Sequence, residues 1–462
     1  MDKQKKQHRS HRNPWSWIPT LYFAEGLPYV AVMTISVIMY KKLGLSNTDI
    51  ALYTSWLYLP WVIKPFWSPI VDILKSKRWW VLSMQWIMAV ALAGIAFTIP
   101  TSMYFRLTLA VFWLLGFTSA THDIAADGYY MHALSEHEQS LYVGIRSTFY
   151  RIATVAGQGL LVILAGLIES SESTLPFEDA VGGKIRLSWM VVFGVLSLFF
   201  IAVAAYHSWA LPRPKSDGNR TAASIGEIMR EFGGTFVSFF RKKQIVIAIV
   251  FMLLYRLPEA QLVKLINPFL LDPASRGGLG LSTEAVGLVY GTVGIVGLTI
   301  GGIVGGICAA RGGLRRWLRP MAWSMSLTCL AFIYLSFVES HSLLTINVCV
   351  FVEQFGYGFG FTAYMLYLIY FAEGPYKTAH YSICTGFMAL SMMLPGMVAG
   401  WIQENAGRVI AHLLPNVASG LDNPAVGYKL FFVWTMICCA ATIIVAMVVK
   451  VDPKFGLKEN NK

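Results

Sequence analysis

Gly44-Leu45-Ser46-Asn47-Thr48-Asp49-Ile50-Ala51-Leu52-Tyr53 returns later in the chain as Gly280-Leu281-Ser282-Thr283-Glu284-Ala285-Val286-Gly287-Leu288-Val289-Tyr290. Each copy sits between two long apolar runs. Two further landmarks recur at nearly the same offset. Lys77-Arg78-Trp79 returns as Arg315-Arg316-Trp317, and Leu21-Tyr22 with Glu25 and Pro28 is echoed by Leu254-Tyr255, Pro258 and Glu259. Landmarks kept in register imply an internal duplication, with each half built on one plan.

The runs around these landmarks are each about twenty residues or more, the length that crosses the hydrocarbon of a bilayer. Hydropathy places twelve spans, at 17–40, 50–72, 79–99, 105–133, 141–168, 186–210, 244–271, 281–310, 315–338, 342–372, 377–403 and 427–450. Of 462 residues 56% are hydrophobic and 13% charged. That composition excludes a water-soluble protein of this size, which needs more charged surface. The fold expected is an all-α membrane protein, with twelve transmembrane helices in two pseudo-symmetric six-helix bundles.

The net charge of +12 does not point to nucleic acid, because the basic residues gather in short loops between spans. Lys3, Lys5, Lys6, Arg9 and Arg12 precede span one. Lys75, Lys77 and Arg78 follow span two, Arg213 to Lys243 follow span six, Arg311 to Arg319 follow span eight, and Lys450 to Lys462 close the chain. With an even number of spans all of these face one side, which places both termini in the cytoplasm. The opposite loops carry Glu169, Glu172, Glu178 and Asp179. The expected organisation is a basic amino terminus (1–16), a six-helix bundle (17–210), a basic linker (211–243), a second bundle (244–450) and a tail (451–462). Ser216, Gly218 and Asn219 loosen the start of the linker, and its later part suits a helix on an anionic leaflet. The first apolar run is too long for a signal-peptide core and lacks a small-residue cleavage site, so it is expected to remain as span one. Cys308, Cys329, Cys349, Cys384, Cys438 and Cys439 lie inside apolar runs without metal-site spacing, and no metal or cofactor is expected.

Ser68-Pro69-Ile70-Val71-Asp72-Ile73-Leu74-Lys75-Ser76-Lys77-Arg78 resembles the loop between helices two and three of the major facilitator superfamily. The copy from Gly301 through Arg311, Arg315 and Arg316 departs from it in having no acid. Glu25-Gly26-Leu27-Pro28, Lys64-Pro65-Phe66-Trp67-Ser68-Pro69-Ile70-Val71-Asp72 and His122-Asp123-Ile124-Ala125-Ala126-Asp127-Gly128-Tyr129 look like AmpG-type permeases and the acetyl-CoA transporters related to them. The match covers the first half well and the second half only in architecture. It implies an inner-membrane secondary transporter, not an enzyme. The implied activity is proton-coupled import of anhydro-muropeptides or a related cell-wall sugar in peptidoglycan recycling. The partners implied are a small-molecule substrate and protons, for a protein expected to be monomeric. An acetyl-CoA-like anion is the alternative cargo. The resemblance also marks Asp72, Lys75, Arg78, Arg311 and Arg315 as gating residues.

Charges inside spans cost several kcal/mol or more, which makes each a functional candidate. Glu25, flanked by Gly26 and Pro28, reads as a protonatable group or as a hydrogen-bonding brace. Asp123 and Asp127 are four apart and share one helix face, so cations must offset their repulsion. Arg146 suits Asp127 and a gate-bracing role; Arg151 suits Asp123 or a bound anion. Glu25, Asp123 and Asp127 are the expected proton-coupling residues. In span seven Arg256 and Glu259 are spaced to pair. Lys264 has no local partner and suits an anionic substrate, a snorkelling position or a pair with Glu353. Arg151, Arg256, Glu259 and Lys264, with the aromatic faces of Trp56 and Tyr129, are the expected substrate contacts. Glycines at 287, 291, 294, 297, 301 and 305 form a smooth stripe for close helix packing. No Gly-x-x-x-x-Gly-Lys-Ser/Thr motif occurs, so an ion gradient is the expected energy source. Two other classes fit less of the chain. A prenyl-diphosphate transferase would place Mg²⁺ on Asp123 and Asp127 but wants a second acidic cluster, and a sensor would bind without flux.

Overall fold

The computed structural model describes residues 12–134, 136–213, 225–339, 342–374, 376–413, 421, 423–453 and 455. Lys3, Lys5, Lys6, Arg9, Lys215, Ser216, Gly218, Asn219, Arg220, Lys454, Lys458 and Lys462 lie outside them, as do the side chains of Pro69 and Asp72. The described chain is helical throughout, the outcome required where no water is present to satisfy backbone N–H and C=O groups.

Eleven helical stretches among the described residues are long and apolar enough to cross a membrane. They are span one (Pro14–Lys42), three (Lys77–Thr98), four (Tyr104–Ala133), five (Ile145–Glu169) and six (Lys184–Ala210). Then follow seven (Ile245–Leu271), eight (Thr283–Gly312), nine (Leu314–Val338), ten (Leu343–Ala372), eleven (Ala379–His412) and twelve (Pro424–Val448). Span two is present as two helices, Asn47–Trp56 and Leu59–Ile73. The break falls just before Pro60, whose fixed φ and missing N–H suit the first turn of a new helix.

The duplicated landmark is duplicated in conformation too. Gly44 and Gly280 both take positive φ, +90° and +63°, where a side chain would be strained. Two residues on, Ser46 and Ser282 each cap a helix, accepting from the Asp49 and Ala285 amides at 3.0 and 3.2 Å.

Contacts divide the chain into two compact units. One comprises Met1–Ile35 and Ile63–Gly234, the other Ser36–Val62 and Thr235–Lys462. In the first, span one packs on four and five, and span six on three and five. Its apolar core gathers Trp17, Leu21, Tyr22, Val81, Tyr129 and Leu211. In the second, spans eight and nine pack on ten, and span seven on eleven and twelve. Segment Ser36–Val62 comes from the first repeat, yet it lies in this second unit with Asn47–Trp56 along span eleven. The linker's later part forms a helix, Ile225–Phe240, whose Phe239 is buried in the second unit's core.

Gly301 and Gly305 lie so close to span ten that a Cβ would meet the Phe355 carbonyl and Thr362. Gly358 returns the fit against the Leu298 carbonyl. Three spans contain a wider, π-type turn: residues 31–35 just after Pro28, residues 156–161, and residues 289–294. Such turns re-aim side chains within a helix and recur at working sites.

Candidate functional site: a buried charge cluster

The first unit encloses three carboxyls and two cations contributed by four spans. Lys64 of span two reaches Asp123 of span four at 2.5 Å, and Arg146 of span five reaches Asp127 at 2.7 Å. Tyr22 donates to the same Asp127 oxygen at 3.3 Å. The Arg146 guanidinium lies over the rings of Tyr22 and Tyr130, at 4.5 and 5.2 Å, which fixes the direction of its fork. Glu25 of span one is 7% exposed, and its Oε2 is buried without a hydrogen-bond partner. Its carboxyl lies near that of Asp123, so the two acids act on each other.

The backbone explains how Glu25 gets there. A Cβ on Gly26 would stand 2.9 Å from the Ala153 Cβ and 3.0 Å from the Tyr150 carbonyl, so only glycine lets spans one and five approach this closely. Asp123 and Asp127, one turn apart, then present both acids to the same neighbours. The Asp127 side chain keeps 44% exposure and Asp123 22%, so the cluster has an open side.

Behind it runs a line of polar side chains. Gln85 Nε2 is 3.1 Å from His122 Nε2, Gln85 Oε1 is 3.0 Å from His207 Nδ1, and His207 Nε2 is 2.9 Å from Thr20 Oγ1. With the amide as assigned, His122 Nε2 accepts from Gln85, while His207 donates to Gln85 through Nδ1 and meets the Thr20 hydroxyl at Nε2. His122 thus has a bracing partner in Gln85.

Several expectations are corrected. Asp123 is served by Lys64, not Arg151. Arg151 is exposed and in no ion pair among the described residues. Lys64 was read only as part of a motif, although a lysine in the middle of an expected span was itself the signal. Arg256 and Glu259 lie near enough to act on each other electrostatically. Arg256 donates to the Tyr357 hydroxyl at 2.5 Å and lies 4.7 Å from the Phe361 ring centroid. Lys264 does not pair with Glu353. It is buried, donates to Thr54 Oγ1 at 3.0 Å and stands 5.0 Å from the Tyr58 ring. Tyr129 is committed elsewhere, donating to the Pro212 carbonyl at 2.7 Å with its ring edge-on to Trp17. Trp56 is 41% exposed. Glu259 and Glu353 are both buried, and Gln354 donates to Glu353 at 2.8 Å. Among the gating residues Arg78 is tied to the Ser208 and Leu211 carbonyls, at 2.5 and 3.2 Å. Lys75, Arg311 and Arg315 are exposed.

The sequence profile described as Major Facilitator Superfamily matches residues 20–400. A Rickettsia conorii protein carrying the name transporter AmpG 4 is 25% identical over 401 residues, covering 84% of this chain and 89% of its own. The anhydromuropeptide permease of Escherichia coli K12 is 24% identical over 401 residues, covering 84% and 74%. Among solved structures, a bacterial homologue of the human lysosomal transporter Spinster superposes with a TM-score of 0.73 at 14% identity, over 95% of this chain and 98% of that one. A D-xylose–proton symporter gives 0.66 at 11% identity, over 94% and 95%. The duplicated spans, the intramembrane charges and these matches agree: the chain belongs to the major facilitator superfamily, as an AmpG-like transporter.

Proposed function

We propose that this transporter imports anhydro-muropeptides, or a closely related cell-wall amino sugar, together with protons across the inner membrane, with both termini in the cytoplasm. The two six-helix repeats, 17–210 and 244–450, would alternate access to a substrate bound by a monomer. The observation that carries the coupling claim is the imbalance of the buried cluster. Three carboxyls share two cations, and Lys64 and Arg146 are taken by Asp123 and Asp127. Glu25 has no ion pair of its own among the described residues and lies near a second carboxyl. Two carboxyls brought together out of water repel when both are ionised, and a proton on Glu25 relieves that repulsion. A proton arriving or leaving there changes the net charge of a lipid-shielded cluster, and that change is a driving force for rearrangement.

Lys264 is the group we assign to the anionic part of the substrate. It is a buried ammonium that donates to a neutral hydroxyl and has no ion pair among the described residues, and such a cation is relieved by an incoming anion. Glu25→Gln keeps the shape and removes the titrating group. In membrane vesicles it is expected to abolish uptake driven by a proton gradient while leaving exchange of substrate across the membrane intact. Uptake by wild-type protein that ignores an uncoupler would remove the coupling claim. Gradient-driven uptake by Glu25→Gln at the normal rate would remove the residue assignment.

A further inference from the structure

Spans three and six pack side by side in the first unit, and the start of one meets the end of the other at the face where span one begins. Arg78 stands in the first turn of span three, where two carbonyls from the end of span six hold its guanidinium, Ser208 at 2.5 Å and Leu211 at 3.2 Å. Arg213, two residues beyond Leu211, is exposed. Arg12 comes from the segment before span one. The Tyr206 hydroxyl fastens that segment to span six by donating to the Ser16 carbonyl, and the Arg12 guanidinium lies 4.4 Å from the Trp209 ring centroid. Three arginines from separate parts of the chain thus meet at one place. Two cavities there, of about 370 and 420 Å³, share Arg78 and Arg213 as lining, and Arg12 lines the larger. Among the described residues no acidic side chain lines either cavity, and Arg12 and Arg213 are in no ion pair.

We propose that Arg12, Arg78 and Arg213 seat the headgroup of an anionic phospholipid with two phosphates, of the diphosphatidylglycerol class. A guanidinium presents a planar fork that matches phosphate oxygens, and basic groups gathered with no acid between them favour an anion. Two cavities that share a pair of arginines offer each phosphate a place of its own. The surroundings decide between a lipid and a soluble phosphate. Trp79 and Trp86 line the smaller cavity and Trp209 the larger, and all three are exposed. Tryptophans at the end of a span mark the headgroup level of a bilayer. Further into the membrane both helices turn apolar side chains outward, Val90 and Phe97 on span three and Leu198 and Ile201 on span six. Acyl chains fit that face, whereas a soluble phosphate gains nothing from it. Basic pockets between membrane helices hold two-phosphate headgroups on the same terms. The inference is independent of the transport reading, since no member of the carboxyl cluster lines either cavity.

The test uses the full chain, purified in detergent and stripped of lipid. It is titrated with diphosphatidylglycerol, phosphatidylglycerol and phosphatidylethanolamine of equal acyl chains, and bound lipid is counted by native mass spectrometry. One diphosphatidylglycerol per chain is expected, held more tightly than either other lipid. Arg12→Ala with Arg213→Ala is expected to weaken it about 30-fold, from two basic residues each contributing about a factor of five at a headgroup. Both side chains are exposed, so the fold does not rest on them, and an unchanged unfolding temperature without lipid checks this. Should the double variant unfold, Arg213→Ala alone decides, with weakening of about fivefold expected and none overturning the site. Arg241→Ala with Lys243→Ala removes two exposed charges from the same membrane face and is expected to change nothing. Equal weakening by that control would mean diffuse attraction and overturn the site. Phosphatidylglycerol held as tightly as diphosphatidylglycerol overturns the two-phosphate assignment. Displacement of the lipid by an equal concentration of inorganic pyrophosphate overturns the lipid as its source.

Discussion

At the scale of single residues, the cluster behaves as an ion-pair network with one acid too many. Removing one member of a buried pair leaves the other charge uncompensated, at a cost of about 3–5 kcal/mol. Lys64→Met is therefore expected to destabilise the protein more than the double variant Lys64→Met with Asp123→Asn, a reversal of simple additivity readable in thermal unfolding in detergent. Additive losses would mean that the pair at 2.5 Å contributes no mutual stabilisation. Arg146→Met is expected to destabilise less, since both partners of its pair are more exposed, at 28% and 44%. The sequence made the acids legible, because charges inside apolar runs stand out. It misassigned one cation for a geometric reason. Arg146 and Arg151 are five residues apart, which turns them about 140° from each other around a helix. Once Arg146 faces Asp127, Arg151 must face away. Lys64 stood inside a quoted motif and was not weighed as a charge within a span.

At the scale of elements, glycine sets the distances. The stripe on span eight was legible from spacing alone, but its partner was not, because nothing in the stripe names span ten. Gly301→Val is expected to force spans eight and ten apart, since a Cβ there already collides with the Phe355 carbonyl. Overpacking of this kind costs about 1–3 kcal/mol, and more where the obstacle is backbone. A lowered unfolding temperature with reduced transport is the outcome expected, whereas Gly306→Ala, where a Cβ meets nothing within 4 Å, should be silent. The duplicated glycine–serine turn was likewise visible in sequence, and its meaning is now physical: a left-handed glycine followed by a serine cap starts a membrane helix in both halves. The break in span two was not legible, because hydropathy does not see where a helix ladder is interrupted.

At the scale of the molecule, the twelve apolar runs and their duplication were enough to identify the architecture, since hydropathy and positive-charge bias are long-range averages that survive local errors. Which segments pack together is a different kind of information. Segment Ser36–Val62 meets partners hundreds of positions away in sequence, as Lys41 meets Asp272 and Asn47 meets Gln403, and no periodicity connects them. Lys264 belongs to the second unit and the carboxyl cluster to the first, and the proposed coupling needs both to act in one cycle.

The most direct measurement is of substrate-induced proton flux in proteoliposomes that carry no imposed gradient. Adding anhydro-muropeptide outside is expected to make the external medium more alkaline as protons enter with it, with Glu25→Gln giving substrate exchange but no alkalinisation. Substrate entry without any proton movement, or an equal proton signal from Glu25→Gln, would contradict the account.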